Sequence, residues 1–319
     1  MVLLLQYTLT FASVLILVAL GGCFSEHSGV INLGLEGVMI MGALGGALAM
    51  RYMPTDSSAF SMLIVVLLAA ALAGTVYSSL LAVACINFKA DQTIVGTALN
   101  MLGTAGATVI VKAINTAANP DDVSSTIQYA GAKKAFLVNI GSFEFSWFML
   151  VTLLLLIAAY VALYKTRFGL RLMACGEHPQ AGDSVGINVY KMRYAGTTIS
   201  GALAGMGGFV YALTTANCTA NGDVAGFGFL ALAVMIFGNW KPLNVAGGAL
   251  LFGLFKCVAA CYSTLDINGD GVFALAQLGL NANFYRLLPY VITLVVLAFT
   301  SKSSRAPTAE GIPYDKGQR

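Results

Sequence analysis

The chain is 319 residues long, 58% apolar and only 10% charged, with a mean hydropathy of +0.81. Soluble domains carry about 25% charged residues, so the composition excludes an ordinary soluble fold. A net charge of +3, confined to loops, points to no nucleic-acid partner.

Apolar runs close to the roughly 20 residues that cross a hydrocarbon core recur along the chain. They are continuous rather than alternating, which rules out a barrel. The expected fold is all-α: a polytopic membrane helical bundle of about nine spans (eight to ten). Hydropathy places them near 2–22, 30–50, 60–84, 93–114, 145–164, 194–214, 227–238, 245–262 and 284–300. The first lacks a basic leader and a small-residue cleavage site, so it reads as a retained span and not as a signal peptide. One transmembrane domain over 1–319 is expected, with a tail at 301–319.

The entry to the second run, SEHSGVINLGLEGVMIMGA, is broken by Gly29, Gly34 and Gly37 and carries Asn32 and Glu36 one helical turn apart. An ionisable group at membrane depth costs ~2.5–3.5 kcal/mol on insertion scales, so it faces a cavity or a partner. Two readings stand: a flexible segment lining a solute path, or an interfacial Glu36 with structural glycines. Gly42 and Gly46, like Gly201, Gly205 and Gly208 later, leave one helix face nearly bare and read as close-packing sites. Asn100, in DQTIVGTALNML, is a second amide within a span. It either joins helices or faces the path.

Residues 165–193, KTRFGLRLMACGEHPQAGDSVGINVYKMR, form the longest charged interruption. The bases Lys165, Arg167, Arg171, Lys191 and Arg193 outnumber Glu177 and Asp183 and sit at its two ends, which assigns this loop to the cytoplasm. Arg167, Arg171 and Arg193 read as exposed charges. Pro179 is placed to open a short helix, with Ala181, Gly182 and Gly186 giving it a small surface and Ile187 anchoring it from behind. Such an element is either a docking helix for a soluble partner or a solvated connector. Alternation then puts Lys89, Lys241 and the basic tail inside, and the N-terminus outside.

Beyond it, the run at 227–238 is short for a span and reads as tilted or as half of a broken helix. Lys256, an ammonium within GALLFGLFKCVAACY, has three readings: it pairs with an acid such as Glu36, lines the path, or snorkels to the interface. Asp266–Gly271 copies the opening of a calcium loop, but position twelve is Gln277 and not Glu, so it reads as a polar turn. The six cysteines show no zinc spacing, and neither metal nor cofactor is expected.

Several stretches match a known pattern. Gln180–Gly186 resembles the E-A-A-x-x-x-G coupling loop of ABC-importer permeases, with Gln for Glu and Gly for the second Ala. GVINLGLEG, the element ending at Asn100, GFGFLALAVMIFGNWKPLNVAGGALLFG, LLPYVITLVVLAF and the tail APTAEGIPYDKGQR are similar to permeases for simple sugars, branched-chain amino acids and nucleosides, and most similar to the nucleoside-uptake branch. His27 and Phe227 stand where relatives carry Arg, and Asp91-Gln92 departs from the usual start of its element. Residues 51–87 and 112–164 match only in hydrophobicity.

The resemblance implies a plasma-membrane subunit of an ATP-driven importer, with the helix of Asn32 and Glu36 by the translocation path and Pro179, Ala181, Gly182, Gly186 and Ile187 coupling to an ATPase; Asn100 and Lys256 join the path candidates as polar groups within spans. The chain has no G-x-x-x-x-G-K-[ST] phosphate loop, so an ABC ATPase subunit must supply ATP hydrolysis and this chain is not itself an enzyme. A second permease, homologous or identical, and an extracytoplasmic solute-binding protein are the other implied partners, besides membrane lipid. Nucleosides lead among solutes, with simple sugars, riboflavin and branched-chain amino acids as alternatives. A proton-coupled secondary transporter is the rival of another class, though no internal repeat supports it.

Overall fold

The computed structural model describes residues 2–54, 57–127, 136–140, 143–215, 222–262, 281–300 and 305–317. The calcium-like turn at Asp266–Gly271 and Cys218 fall outside them. The first four helices are α1 (Val2–His27), α2 (Leu35–Tyr52), α3 (Ala59–Ala82), which continues into a π-helical turn at Val83–Asn87, and α4 (Gln92–Ala118). A two-stranded ribbon, β1 (Leu137–Ile140) and β2 (Phe143–Ser146), leads into α5 (Trp147–Lys165). The chain goes on through α6 (Arg167–Glu177), α7 (Pro179–Ser184), α8 (Val189–Thr214), α9 (Phe227–Phe237), α10 (Pro242–Cys261) and α11 (Ala282–Thr300).

Local chemistry sets most starts. Ser58, Asp91, Ser146, Thr166 and Asn188 each accept a hydrogen bond from a backbone N–H in the first turn of α3, α4, α5, α6 and α8. Pro179 and Pro242 open α7 and α10, where a missing N–H costs nothing. Each run expected from hydropathy has its helix. Among the described residues five helices are long and apolar enough to cross a membrane: Leu4–His27, Ala59–Asn87, Gln92–Ala118, Trp147–Lys165 and Pro242–Cys261.

The core forms around α1, which is 83% buried over its most apolar stretch against about a third or less for the other four, so it is the central post and they are peripheral. It packs on α8, α10, α9 and α5, while α2 lies between α3, α4 and α8. Leu68, Leu72 and Val76 of α3, Met101 and Val109 of α4 and Leu153, Leu154 and Ile157 of α5 stay exposed, an apolar outer surface suited to lipid. The glycines form the inner seams: Gly205 meets Gly42 of α2 and Gly74 of α3, and Gly208 lies on the backbone of Met39. With no hydrophobic force between helices in lipid, such backbone contact is the main means of association.

Two findings differ from expectation. Between the expected runs at 93–114 and 145–164, where no element was expected, the chain forms the antiparallel ribbon, with Leu137 opposite Ser146 and Ile140 opposite Phe143. Four-residue strands are too short for alternation to reveal. Arg193, read as an exposed flanking charge, is 1% exposed. The helix α8 begins five residues before the expected 194, at Val189, so Arg193 sits one turn inside it and faces Gly29. Its Nη1 donates to the carbonyl of Ile312 at 3.0 Å.

That bond belongs to a strap. Residues 305–317 cross the same end of the bundle as α6 and α7: Ala309 N donates to Gly176 O, Thr308 Oγ1 to Glu177, and Arg305 N to Asn239. Lys89 pairs with Asp315 at 2.8 Å, and the rings of Tyr190 and Tyr314 meet edge-on. Burial pushes the Glu310 carboxyl from its ordinary 4.5 up to about 6, opposed by its hydrogen bond with Glu26. A pKa raised on docking favours the docked strap at low pH, in full below about 4.5, and that contribution is lost as pH rises through 6. Amide exchange at 308–314 is expected to speed up between pH 5 and 7 beyond the intrinsic rate, and less so in Glu310→Gln. A pH-independent protection factor contradicts the linkage.

Candidate functional site

Between α1 and α2 the chain leaves helical geometry inside the protein. Ser28, Val30 and Asn32 are fully buried although residues 28–34 are irregular, so every backbone group there needs a partner. Gly29 turns the chain at φ +88°. The Ser25 hydroxyl donates to Val30 O, Val30 N to Ser25 O, and Ile31 N to the Gln92 side chain at 2.6 Å. Asn100 closes the far side, with its Nδ2 donating to Leu33 O and its Oδ1 accepting from Gly37 N, both at 2.8 Å. Its amide is thus engaged by the start of α2, as in the helix-joining reading. The Asn32 Nδ2 donates to Ser200 Oγ at 2.9 Å, but its buried Oδ1 has no partner among the described residues.

Glu36 lies in the first turn of α2 and is held by the start of α9. Its Oε1 accepts from Gly226 N at 2.8 Å and its Oε2 from Gly228 N at 2.6 Å. Carboxylate oxygens on the free N–H groups of a helix start satisfy both charge and hydrogen bonding without a cation. No ion pair joins Glu36 to Lys256 among the described residues; Lys256 Nζ lies instead 4.7 Å from the centroid of the Phe227 ring and 5.4 Å from that of Tyr290. Phe227 stands between the two glycines that Glu36 holds, so acid and base meet the same turn. Replacing Glu36 by Ala orphans two N–H groups, each worth about 1–3 kcal/mol when buried. Glu36→Ala is therefore expected to melt well below wild type in detergent, with Glu36→Gln in between and Asn100→Leu also lowered. Unchanged melting of all three contradicts these pins.

At the end crossed by the strap, α6 and α7 are split at His178, since the residue before Pro179 is driven out of helical geometry. Pro179 and Gly182 face inward, Gly182 lying over Cys175. Ala181 is exposed, and Ile187 packs behind on Cys175, Val189 and Tyr314. Gly186 adopts φ +84° with open space where a Cβ would stand. Val185, beside it, is 75% exposed; reading the sequence for small residues passed over it.

One cluster of contacts was not legible in the sequence. Trp240 Nε1 donates to Glu26 Oε2, and a His27 ring nitrogen meets Trp240 O at 3.0 Å. These bonds hold a turn in which Asn239 and Trp240 both have positive φ. The only sequence signal was an acid and a histidine at the end of an apolar run.

Apolar helices of spanning length, packed through glycines around a buried irregular segment with pinned polar groups, define a multi-pass membrane protein. Residues 4–297 match the family described as branched-chain amino acid transport system / permease component, and the chain belongs to it as a permease component of an ABC transporter. It is 40% identical over 319 residues to the guanosine ABC transporter permease protein NupQ of Bacillus subtilis, covering 98% of this chain and 96% of the relative. It is 35% identical to the nucleoside ABC transporter permease protein NupC of Lactococcus lactis, covering 97% and 96%. To the putative glucose ABC transporter permease protein TsgC13 of Haloferax volcanii it is 30% identical, covering 93% and 91%.

Proposed function

We propose that the chain is a membrane-spanning subunit of an ATP-driven importer for nucleosides. The observation that carries this reading is near-full-length identity of 40% and 35% to two permeases named for guanosine and nucleosides, against 30% to one named for glucose. Nine helices are assigned as spans, the five that qualify by length and apolarity together with α2, α8, α9 and α11. The basic residues around α7 put that end of the bundle, and the strap beside it, in the cytoplasm.

In this reading α7 is the coupling helix. Ala181, Val185 and Gly186 face the ATPase, while Pro179, Gly182 and Ile187 fix the helix to α6 and α8. The irregular segment at 28–34 borders the translocation path, supported by the unpartnered carbonyl of Asn32. Glu36 and Asn100 hold that wall in shape, and Lys256 faces the path from α10. A second permease, two ATPase domains and an extracytoplasmic binding protein complete the importer.

The test is uptake of labelled nucleoside by cells expressing the whole importer. Uptake that survives a proton uncoupler and stops on ATP depletion is expected. Uptake abolished by the uncoupler at unchanged ATP contradicts an ATP-driven importer, and uptake of glucose in place of nucleosides contradicts the solute assignment.

A further inference from the structure

A cavity of about 340 Å³ opens between α1, α8, α9, α10 and α11, lined by Phe11, Tyr211, Thr215, Phe227, Lys256 and Tyr290. Its size is that of a small-molecule site. It lies at the end of the bundle opposite α7: Tyr211 is near the close of α8, which at 26 residues runs roughly 39 Å from its start beside α7. Its wall is aromatic. The Phe227 ring is 4.8 Å from Tyr211 and 6.1 Å from Phe11, centroid to centroid. Phe227 is also fixed in place, because Glu36 grips the amides on either side of it.

Lys256 is the cation of this wall; its ammonium lies over two ring faces and is attracted by the carboxylate of Glu36 without touching it. It makes no hydrogen bond or ion pair among the described residues, so its N–H donors remain free. An ammonium donates and cannot accept. Flat rings beside a free donor suit a planar heterocycle carrying acceptor atoms on its edge.

We infer that this cavity holds the nucleobase of the solute in transit, and that Lys256 selects bases whose edge carries a carbonyl oxygen over those carrying an amino group there. The inference rests on the reading of the chain as a nucleoside permease. A base stacks on the exposed ring of Tyr290, against the floor made by the buried Phe227 and Tyr211, while the ammonium turns from the rings to the acceptor edge. Guanine and hypoxanthine offer O6 and N7 together, whereas adenine replaces O6 by an N–H donor that meets the ammonium donor to donor. Uracil and cytosine differ in the same way.

Inosine and adenosine isolate this difference, as do uridine and cytidine. The experiment is equilibrium binding of the four labelled nucleosides to the complete permease–ATPase complex in nanodiscs, without the binding protein, so that only the membrane site selects. Wild type is expected to bind inosine at least about tenfold more tightly than adenosine, the span of one hydrogen bond to a charged group. Lys256→Met, which keeps the length of the side chain, brings the ratio toward one, and Lys256→Arg restores it. Tyr290→Ala weakens all four together. Equal affinities in wild type, or a ratio unaltered in Lys256→Met, overturns the role of Lys256. A complex that transports nucleosides in cells but binds none of the four overturns the site and leaves the proposed function standing; a complex that does neither fails the function itself.

Discussion

Gly208→Leu is expected to prevent accumulation of folded protein. On α8, Gly208 faces the backbone of Met39 on α2 so closely that an added Cβ falls on the Met39 carbonyl. A flexible side chain can move aside, but a helix backbone cannot without parting the two helices. Overpacking typically costs about 1–3 kcal/mol, and contact with main chain belongs at or above the upper end. The neighbouring seam, where Gly205 meets Gly42 and Gly74, is lost with it, because the same rigid helix carries both. Gly247→Leu is the control, since nothing lies within 4 Å of a Cβ there. Size-exclusion profiles of tagged protein in mild detergent are expected to show a single folded peak for Gly247→Leu and aggregate for Gly208→Leu. Equal peaks contradict the close α2–α8 crossing.

The second large effect is expected at the coupling helix, and it spares the fold. Val185 is largely exposed, so a polar replacement there buries no charge inside this chain. If it seats in a groove of the ATPase, Val185→Asp places a charge in that contact. Loss of a central interface anchor costs about 2 kcal/mol or more, roughly a thirtyfold weaker association. Gly186 acts differently. A Cβ there meets no atom of this chain, but the φ of +84° strains any other L residue by about 1–2 kcal/mol and turns α7 off its axis. Val185→Asp is expected to abolish co-purification of the ATPase at equal membrane abundance. Gly186→Ala is expected to weaken it, and Arg171→Ala, at an exposed charge, to leave it as in wild type. Equal ATPase recovery and solute-stimulated hydrolysis in both test variants would remove α7 from the coupling role.

What the sequence disclosed follows from the range of the forces involved. Helix positions, the breaks at Gly29 and Gly34, the opening of α7 at Pro179 and the close-packing glycines are set by neighbouring residues, so periodicity and composition reveal them. Glu36 was legible as an unusual acid, but its acceptors' partners, Gly226 and Gly228, are 190 and 192 residues away. No spacing rule supplies that pairing, and Lys256, one of whose three readings was a pair with Glu36, lies over rings without an ion pair to it among the described residues. Arg193 was misjudged for the same reason: its burial depends on a strap whose Ile312 carbonyl lies 119 positions further on. Asn100 was left between two readings because a buried amide looks alike whether it faces backbone or solute.

The central claim is ATP-driven uptake of nucleosides through this chain, and the direct measurement is reconstitution. The purified permease and ATPase subunits are placed in liposomes with the binding protein and labelled inosine outside. ATP is then enclosed with the ATPase or withheld. The account predicts accumulation of inosine above the outside concentration only with ATP inside, loss of that accumulation in Val185→Asp, and no effect of collapsing a proton gradient. Inosine accumulation driven by an imposed proton gradient without ATP would contradict it.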